Sequence, residues 1–418
     1  MKVLWITNIP LPDTCRAMGW DAPVTGGWMS ALAGFLTGAR PDLELAVAST
    51  GTVGELVEKE VGGIRRFILP QAKRSGCWKA IQQSFAPEVI HIHGTEYAYG
   101  LEWIRECGNA HAVVSIQGLV EVCARYSLGG IERGELKKYR TLQDYLRPSL
   151  LKLPQRMAEQ GRLEIEYMKT CGHFIGRTEW DRVHLWAVNP SAKYHFGNEM
   201  LREPFYHARW TRSECEPHTI FLSQGAAPLK GLHQVLKAMP LILREFPDTK
   251  IRLAGGNIFS RKTLREKLKF SLYANYIASL IKRLGLREHF EALGLCPPER
   301  MVAELKRCNV FICPSSIENS PNSLGEAQRT GVPCIGSYAG GVPDFAADGA
   351  ALLYRFEETE MLADHVCSVF RSPELAEKLS AAAAKAAAEA AAEAERKATE
   401  NTRLLAEIVS LMKENNAK

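Results

Sequence analysis

Short apolar runs, bounded by turn residues, recur along this chain at intervals that leave room for a helix between them. Runs of this kind are typical of parallel strands that are buried on both faces of a sheet. Because parallel strands need crossover connections, the pattern predicts β-α-β units and an α/β, doubly wound fold. The runs are residues 2–7, 43–48, 64–69, 89–93 and 113–117 in the first half, and 219–223, 250–254, 290–293, 310–313, 333–336 and 351–354 in the second.

The two series of strands predict two domains. A chain of 418 residues exceeds one ordinary core, and a Pro- and Glu-containing stretch at 215–218 separates the series. We predict Rossmann-like domains over 1–210 and 211–379 that face each other across a cleft. Residues 380–394 are almost wholly Ala, Lys and Glu, which predicts an exposed or linking helix. Within 380–418 we then expect a docking helix, carried by apolar residues between 404 and 412, that crosses back to the first domain.

Composition limits the class of protein. Hydrophobic residues at 46% and charged residues at 24% are ordinary for a globular protein, and the net charge of +5 does not indicate nucleic acid binding. The 11 cysteines contain no Cys-x-x-Cys pair, which favours reduced thiols in a cytoplasmic protein. The first residues are typical of a buried strand rather than a signal peptide, and no apolar stretch is long enough to span a membrane.

Residues 126–157 interrupt the strand pattern. Basic residues from Lys137 to Arg156 alternate there with leucines and Tyr145, which predicts an insertion of amphipathic helices in the first domain. The simplest interpretation is a solvated helix face. The alternative is a weak, salt-sensitive attachment to the inner face of a membrane, to which a second basic stretch at 261–269 would contribute.

Residues 310–344 carry the strongest chemical signal. The strand at 310–313 is followed by a loop in which Ser320 is a good N-cap and Pro321 suits the first helical position. We therefore expect a helix to start at the C-terminal end of this strand, where ligands bind in open α/β sheets. The backbone N–H groups of Asn322 and Ser323, together with the helix dipole, would bind a diphosphate.

Two glutamates flank this helix start. Glu318 lies in the loop, and Glu326 lies within the helix. An ionised carboxylate only accepts hydrogen bonds, so both side chains suit the binding of sugar hydroxyls on either side of the phosphates. Lys230 follows the first strand of the second half after a glycine-containing loop, where a cation would balance the charge of a diphosphate leaving group. The simpler alternative for Lys230 is a solvated lysine at a helix start.

Together these residues resemble the E-x7-E motif of the retaining family 4 glycosyltransferases, which have the GT-B fold. Other matching elements are Gly26-Gly27, Ile92-His93-Gly94, residues 176–181, Asn198-Glu199, Ser223-Gln224-Gly225, Lys230-Gly231 and Gly340-Gly341-Val342-Pro343-Asp344. The resemblance implies that Glu326 binds ribose, Glu318 the transferred sugar and Lys230 the diphosphate, while His93 reaches across the cleft to the donor sugar. The implied catalytic residues are His93, Glu318 and Lys230. The implied donor-binding residues are Gly26, Gly27, Gly225, Lys230, Glu318, Asn322, Ser323, Leu324 and Glu326.

The resemblance implies a retaining transfer of a hexosyl-type sugar from a UDP- or GDP-sugar to a glycan or lipid-linked acceptor in polysaccharide or glycolipid biosynthesis. No Asp-x-Asp pair accompanies the donor motif, so we expect neither an essential metal nor a cofactor. One position departs from the family, because Gln224 stands where many relatives have an arginine. Two other functions stay open: a nucleotide-sugar epimerase of similar fold, and a non-catalytic partner of another transferase.

Simpler interpretations of the other motif residues also stay open. Gly26-Gly27 is also compatible with an ordinary helix-entry turn. His91 shares a sheet face with His93 by its spacing and competes with it for a role. Arg177 and Glu179 are equally compatible with a structural ion pair.

Overall fold

The computed structural model describes residues 1–21, 27–141, 143–146, 149–197, 201–256 and 271–393. These residues form two compact units. Unit 1 contains Met1–Val120 and Gln160–Met200, and unit 2 contains Glu121–Glu159 and Leu201–Ala390. The predicted basic stretch at 261–269 and the predicted docking helix near 404–412 lie outside the described residues.

Unit 1 contains an eight-stranded sheet with the order β3-β4-β2-β1-β5-β6-β7-β8. Neighbouring strands are parallel except for β3, which runs antiparallel to β4 at the edge of the sheet. The order reverses between β1 and β5, which pair with Thr7 opposite His93. The strands are β1 Lys2–Thr7, β2 Glu44–Gly51, β3 Val57–Val61, β4 Ile64–Pro70, β5 Val89–His93, β6 Ala112–Ser115, β7 His173–Gly176 and β8 Lys193–Phe196.

The five predicted strands of the first half are present, and β3, β7 and β8 are additional. The three central residues of β3 are exposed and charged, so the strand has no apolar run that a sequence pattern can detect. β7 and β8 have four residues each, and both contain a histidine. β3 and β8 lie at the two edges of the sheet, and β7 pairs with both β6 and β8, so strand pairing rather than a long apolar run defines these three strands.

Unit 2 contains a six-stranded sheet with the order β11-β10-β9-β12-β13-β14, in which all neighbours are parallel. All six predicted strands of the second half are present, and the order reverses between β9 and β12. Two parallel α/β sheets confirm the predicted fold class. The strands are β9 Thr219–Leu222, β10 Lys250–Ala254, β11 Phe290–Gly294, β12 Val310–Cys313, β13 Cys334–Ser337 and β14 Leu352–Tyr354.

Helices connect the strands within the described ranges. None of these helices is both long and apolar enough to cross a bilayer. The α-helices are Pro12–Ala17, Gly27–Ala39, Cys77–Phe85, Tyr99–Cys107, Val120–Tyr126, Arg133–Lys137, Gln143–Leu146, Leu153–Thr170, Glu179–Val188, Leu232–Glu245, Leu272–Arg283, Pro298–Arg307, Asn322–Thr330, Thr359–Arg371 and residues 373–393. Short 3₁₀ helices are Leu150–Lys152, Glu203–His207, Arg212–Glu214, Pro228–Lys230, Arg287–His289 and Val342–Gly349.

The predicted insertion belongs to unit 2, not to the first domain. Its apolar residues Ile131, Leu136 and Leu151 are buried in the core of unit 2. The carbonyl oxygen of Gly129 lies 2.8 Å from Nε2 of His233, which belongs to the same unit. The insertion therefore follows the core that its leucines fill, although most of its sequence neighbours lie in unit 1. Its basic side chains Lys137, Lys138, Arg140, Lys152 and Arg156 are exposed.

The Ala-rich segment is helical, as its composition predicts, but one of its faces is buried. Ala383 is fully buried and Ala387 nearly so. The Oγ atom of Ser380 would lie 3.4 Å from a Cβ placed on Gly331. Small side chains thus allow this helix to pack closely against unit 2. The helix is therefore partly buried, which differs from the predicted exposed or linking helix.

Candidate active site

The motif residues of unit 2 gather where its strand order reverses. Lys230 lies in the connection after β9, and Glu318 lies in the loop after β12. These strands pair directly, with Phe221 opposite Phe311, so their C-terminal ends are adjacent. In open α/β sheets, ligands bind in the crevice formed at such a reversal.

The loops after β9 and β12 interlock through backbone contacts. The N–H of Ser316 donates to the carbonyl oxygen of Leu229 at 2.7 Å. Gly231 has a φ of +70°, and a Cβ at this position would lie 1.6 Å from the carbonyl oxygen of Pro314. Only glycine fits this contact, which explains the glycine after Lys230.

Lys230 and Glu318 form an ion pair at the centre of this region. Nζ of Lys230 lies 2.5 Å from Oε1 of Glu318, and the Ser315 hydroxyl donates to the same oxygen at 2.7 Å. Burial acts to lower the pKa of Lys230, but the charge and hydrogen bond of Glu318 outweigh it, so the pKa lies above its ordinary value. Lys230 is thus held as a cation and is not a freely solvated lysine.

The Gly-Gly-Val-Pro motif supports the backbone of Glu318. The N–H of Gly341 donates to the carbonyl oxygen of Glu318 at 2.9 Å. Gly340 has a φ of +57°, and a Cβ there would lie 1.9 Å from that same oxygen. Glycine at 340 therefore allows the loop after β13 to contact the Glu318 loop directly.

The helix after β12 starts one residue later than predicted. Its N-cap is Pro321, without a capping side chain, and its first residue is Asn322, so Ser320 is not the N-cap. Asn322 and Ser323 carry N–H groups that precede the first helical hydrogen bonds. The N–H of Leu324 donates to the carbonyl oxygen of Pro321 at 2.8 Å, and its side chain is fully buried. Leu324 is thus a core residue whose N–H is already bonded.

Glu326 has a partner that the sequence pattern did not reveal. Arg202 Nε lies 2.6 Å from Oε1 of Glu326, and its Nη2 lies 2.7 Å from Oε2. The Glu326 side chain is 6% exposed and that of Arg202 is 38% exposed. A carboxylate this deeply buried needs a countercharge, and Arg202 supplies it. No motif links the two residues, because Arg202 lies far upstream and outside the matching elements.

The departure at Gln224 places an exposed, uncharged side chain two residues after the end of β9. Gly225 beside it is buried, and a Cβ there would lie 2.9 Å from Cδ2 of Leu232. Gly225 therefore allows the loop to pack against the following helix. Among the described residues, no group of three His, Cys, Asp or Glu side chains is arranged to hold a metal ion.

The predicted site residues of the first domain lie on the sheet of unit 1 or in its connections. His93 ends β5, is 2% exposed, and its ring centre lies 4.7 Å from that of Trp5. The ring centres of His91 and His93 are 3.9 Å apart, so both share one face as predicted. Burial, with a smaller effect of His91, holds the pKa of His93 well below its usual value, so the imidazole is neutral.

Gly27 begins a helix, and Gly26 lies outside the described residues.

The run at 176–181 forms a strand end and a helix start. Thr178 caps the helix Glu179–Val188 by accepting from the N–H of Asp181. Arg177 is buried and donates to the carbonyl oxygen of Gln117 at 3.1 Å. Glu179 pairs with Arg182 on the exposed helix surface.

Comparison with known proteins shows which proteins this chain resembles. Residues 206–386 match the family described as Glycosyl transferases group 1. Spore coat protein SA of Bacillus subtilis (strain 168) is 28% identical over 42% of this chain and 48% of that protein. The GDP-mannose-dependent alpha-(1-6)-phosphatidylinositol monomannoside mannosyltransferase of Mycolicibacterium smegmatis is 26% identical over 32% of this chain and 33% of that protein. The matched regions thus span less than half the length of either relative.

Solved structures match nearly the whole chain. Sucrose-phosphate synthase (tll1590) from Thermosynechococcus elongatus has a TM-score of 0.70 at 15% identity, covering 97% of this chain and 99% of that one. Anabaena Alr3699/HepE in complex with UDP and glucose has a TM-score of 0.63 at 13% identity, covering 96% and 100%. At these identities the likeness establishes the fold. Residues 206–386 thus resemble the group 1 glycosyltransferases, and the two α/β units have the GT-B fold.

Proposed function

We propose that this protein is a retaining glycosyltransferase that moves a hexosyl group from a UDP- or GDP-sugar to a glycan or lipid-linked acceptor. The observation that carries the proposal is the arrangement of Lys230, Glu318 and Glu326 around the reversal of strand order in unit 2. One cation and two carboxylates there match the charges and hydroxyls of a nucleoside diphosphate sugar. Unit 2 therefore binds the donor, and unit 1 binds the acceptor.

Each residue has a role set by its surroundings. Lys230, held as a cation, and the helix N-terminus at Asn322 and Ser323 stabilise the negative charge on the departing diphosphate. Glu326 accepts hydrogen bonds from the ribose hydroxyls. A carboxylate has about four lone-pair positions, and Arg202 uses one on each oxygen, so acceptor capacity is left for two hydroxyls. Glu318 accepts from hydroxyls of the transferred sugar.

The reaction exchanges one bond at the anomeric carbon for another. The bond from this carbon to the diphosphate oxygen breaks, and a bond to the acceptor oxygen forms on the same face. The acceptor proton passes to the departing phosphate oxygen, so atoms and charge balance without another reactant. The His93 imidazole of unit 1, neutral by burial, is a catalytic residue in this proposal.

The relatives support the choice of substrates. The Mycolicibacterium smegmatis relative is named for a GDP-mannose donor and a phosphatidylinositol-linked acceptor, and Anabaena Alr3699/HepE was solved with UDP and glucose. The exposed basic side chains of residues 137–156 favour weak, salt-sensitive contact with the anionic cytoplasmic surface of a membrane. Leu136, just before that segment, and Leu151 within it are buried, so the contact is electrostatic and does not involve insertion into the membrane.

A donor-by-acceptor screen tests this proposal. The full chain is mixed with UDP-, GDP- and ADP-sugars and with glycan and glycolipid acceptors, and nucleoside diphosphate release is followed. Transfer with retained anomeric configuration, lost in Lys230→Ala and Glu326→Ala but kept in the surface variant Lys306→Ala, supports the proposal. No release with any pair would favour a non-catalytic partner. An inverted free nucleotide sugar formed without an acceptor would favour an epimerase.

A further inference from the structure

Unit 1 has its own reversal of strand order, between β1 and β5. Both strands end at the same edge of the sheet, because they are parallel and in register from Val3 to Thr7. Asn8 follows β1 directly, and Glu96 lies in the loop after β5. In open α/β sheets, ligands bind where the strand order reverses. This rule supports the donor site in unit 2, and it applies equally to this edge of unit 1.

A hydrogen bond spans this reversal. Nδ2 of Asn8 donates to Oε2 of Glu96 at 3.0 Å, so side chains from the two strand ends meet. Gly94 lies beneath them with a φ of +92°. A Cβ on Gly94 would lie 2.3 Å from Oε2 of Glu96 and 2.6 Å from Nδ2 of Asn8. The chain thus has glycine where these two polar groups need the space.

The backbone under this pair is fixed by buried contacts. Gln160 Nε2 donates to the carbonyl oxygen of Glu96 at 2.9 Å. The fully buried Thr95 donates to Oε2 of Glu164 at 3.2 Å, and that oxygen also accepts the N–H of Val120 at 2.9 Å. Asn8 and Glu96 themselves are half-buried and keep access to solvent. The pair is therefore pre-positioned and reachable by a ligand.

Burial of Glu96 works against its charge. Desolvation raises the pKa of its carboxyl, although backbone N–H groups, Asn8 and the charge of Arg177 partly oppose this effect. A half-buried carboxyl at the ligand-binding edge of a sheet is less favourable for stability than a neutral group. Such groups are concentrated at functional sites.

We propose that Asn8 and Glu96 form a binding site for a neutral, hydroxyl-rich group of the acceptor, such as a sugar or cyclitol ring. That the ligand is the acceptor rests on the proposed function. The site itself rests on the contacts within unit 1 alone. The carboxylate accepts hydrogen bonds, while the amide of Asn8 accepts at its oxygen and donates through its second hydrogen. Neighbouring hydroxyls both donate and accept, so they complement this pair, whereas a phosphate is repelled by Glu96.

An aromatic surface lies one residue further along the chain. Tyr97 is 45% exposed, and its ring stacks on Tyr99 at 5.5 Å with an angle of 2° between the planes. The Arg74 guanidinium lies 5.0 Å from the Tyr99 ring. Ligand pockets combine a few polar groups with aromatic walls of this kind, on which the apolar face of a sugar ring packs.

Saturation-transfer NMR on the full chain tests the site. The probes are methyl α-mannoside, methyl α-glucoside and myo-inositol, each compared with glucose 6-phosphate. We expect at least one neutral probe to bind, and Glu96→Gln and Asn8→Ala to weaken it about tenfold or more, since hydrogen bonds to a charged group are lost. The matched control is Glu88→Gln, at the opposite end of β5, where the Glu88 carboxylate accepts from the N–H of Lys2 and lies near the N-terminal ammonium group. It should bind the probe as the native protein does.

Three results would overturn the proposal: no neutral probe binds the native chain, Glu96→Gln binds as well as the native chain, or glucose 6-phosphate binds more tightly than methyl α-glucoside. Binding of UDP and GDP to the same samples separates this proposal from the proposed function. Polyol binding that depends on Glu96 without any nucleotide binding would sustain the site and remove the transferase. Nucleotide binding without polyol binding would do the reverse.

Discussion

Arg202 holds both oxygens of Glu326, with Nε 2.6 Å from Oε1 and Nη2 2.7 Å from Oε2. This geometry fixes the orientation of the Glu326 carboxylate while it is almost fully buried. Arg202 is therefore a positioning residue for the group that we propose binds the ribose. It lies in unit 2, as does Glu326, although nothing in the donor motif points to it.

Replacing Arg202 with methionine should destabilise unit 2, because it leaves a buried carboxylate without its countercharge. We expect the free energy of unfolding to fall by about 1–3 kcal/mol, less than for a fully buried pair since Arg202 is partly exposed. Urea denaturation followed by circular dichroism measures the change. Arg371→Met is the matched control, because Arg371 forms a similar two-bonded pair with Glu245 on the surface.

The control should lose little stability, because solvent screens an exposed ion pair. The double variant Arg202→Met/Glu326→Gln should be more stable than Arg202→Met alone, since the uncompensated charge is gone. If Arg202→Met were as stable as the control, the pair would not compensate Glu326 as described.

Gly340→Ala should disturb the Glu318 loop. Its Cβ would lie 1.9 Å from the Glu318 carbonyl oxygen, so the loop must move. Gly349→Ala is the matched control, because Gly349 also has a positive φ but has nothing within 4 Å of its Cβ position. The control loses only the backbone preference, about 1–2 kcal/mol. We expect Gly340→Ala to lose more, by thermal or urea unfolding, and to weaken donor binding, which the control should retain. Equal effects of the two substitutions would contradict this contact.

Lys230→Met should show a characteristic dependence on pH. The pKa of Lys230 is raised above 10.5 in the folded protein, so the stability it contributes is complete below that value and is lost as the pH rises through the folded pKa. We expect native chain and variant to differ by about 1–3 kcal/mol near neutrality. The difference should shrink only above 10.5. Urea titrations over this range measure it. A difference that already declines well below 10.5 would contradict a raised pKa.

Glu96→Gln should be at least as stable as the native chain near neutral pH. The pKa of Glu96 is raised in the folded state, so the stability it contributes declines as the pH rises from 4.5 through the folded pKa. A neutral amide avoids that loss, so the melting temperature of the variant should match the native one in acid and exceed it near neutrality. A native chain more stable than the variant at neutral pH would mean that Glu96 has a structural role rather than a binding role.

The sheets could largely be predicted from sequence, because central parallel strands are buried on both faces and appear as apolar runs. The four central strands of unit 2, which are β9, β10, β12 and β13, follow this rule. β3 does not, since its exposed residues Glu58, Lys59 and Glu60 are charged and its position depends on pairing with β4. The sequence pattern also does not predict that residues 121–159 belong to unit 2, because this depends on the core in which Leu136 and Leu151 are buried.

The candidate site could be predicted only where its residues lie close together in sequence. Glu318, Gly340 and Glu326 belong to one continuous stretch around a strand and a helix, so spacing reveals them. Arg202 meets Glu326 only after folding, and so do Asn8 and Glu96, which follow different strands of one sheet. Helix capping was misjudged by one residue, because Pro321 is the N-cap instead of Ser320.

Binding of UDP and GDP, measured by titration calorimetry, tests the central claim that unit 2 binds a nucleotide donor through Glu326. We expect the native chain to bind one of them, and Glu326→Gln to bind it about tenfold or more weakly, since hydrogen bonds to a charged group are lost. Glu304→Gln is the matched control, because Glu304 is about as buried as Glu326 and forms a two-bonded pair with Arg252 outside the motif. It should lose stability but keep native affinity. A native chain that binds neither nucleotide, or a Glu326→Gln variant with native affinity, would contradict the account.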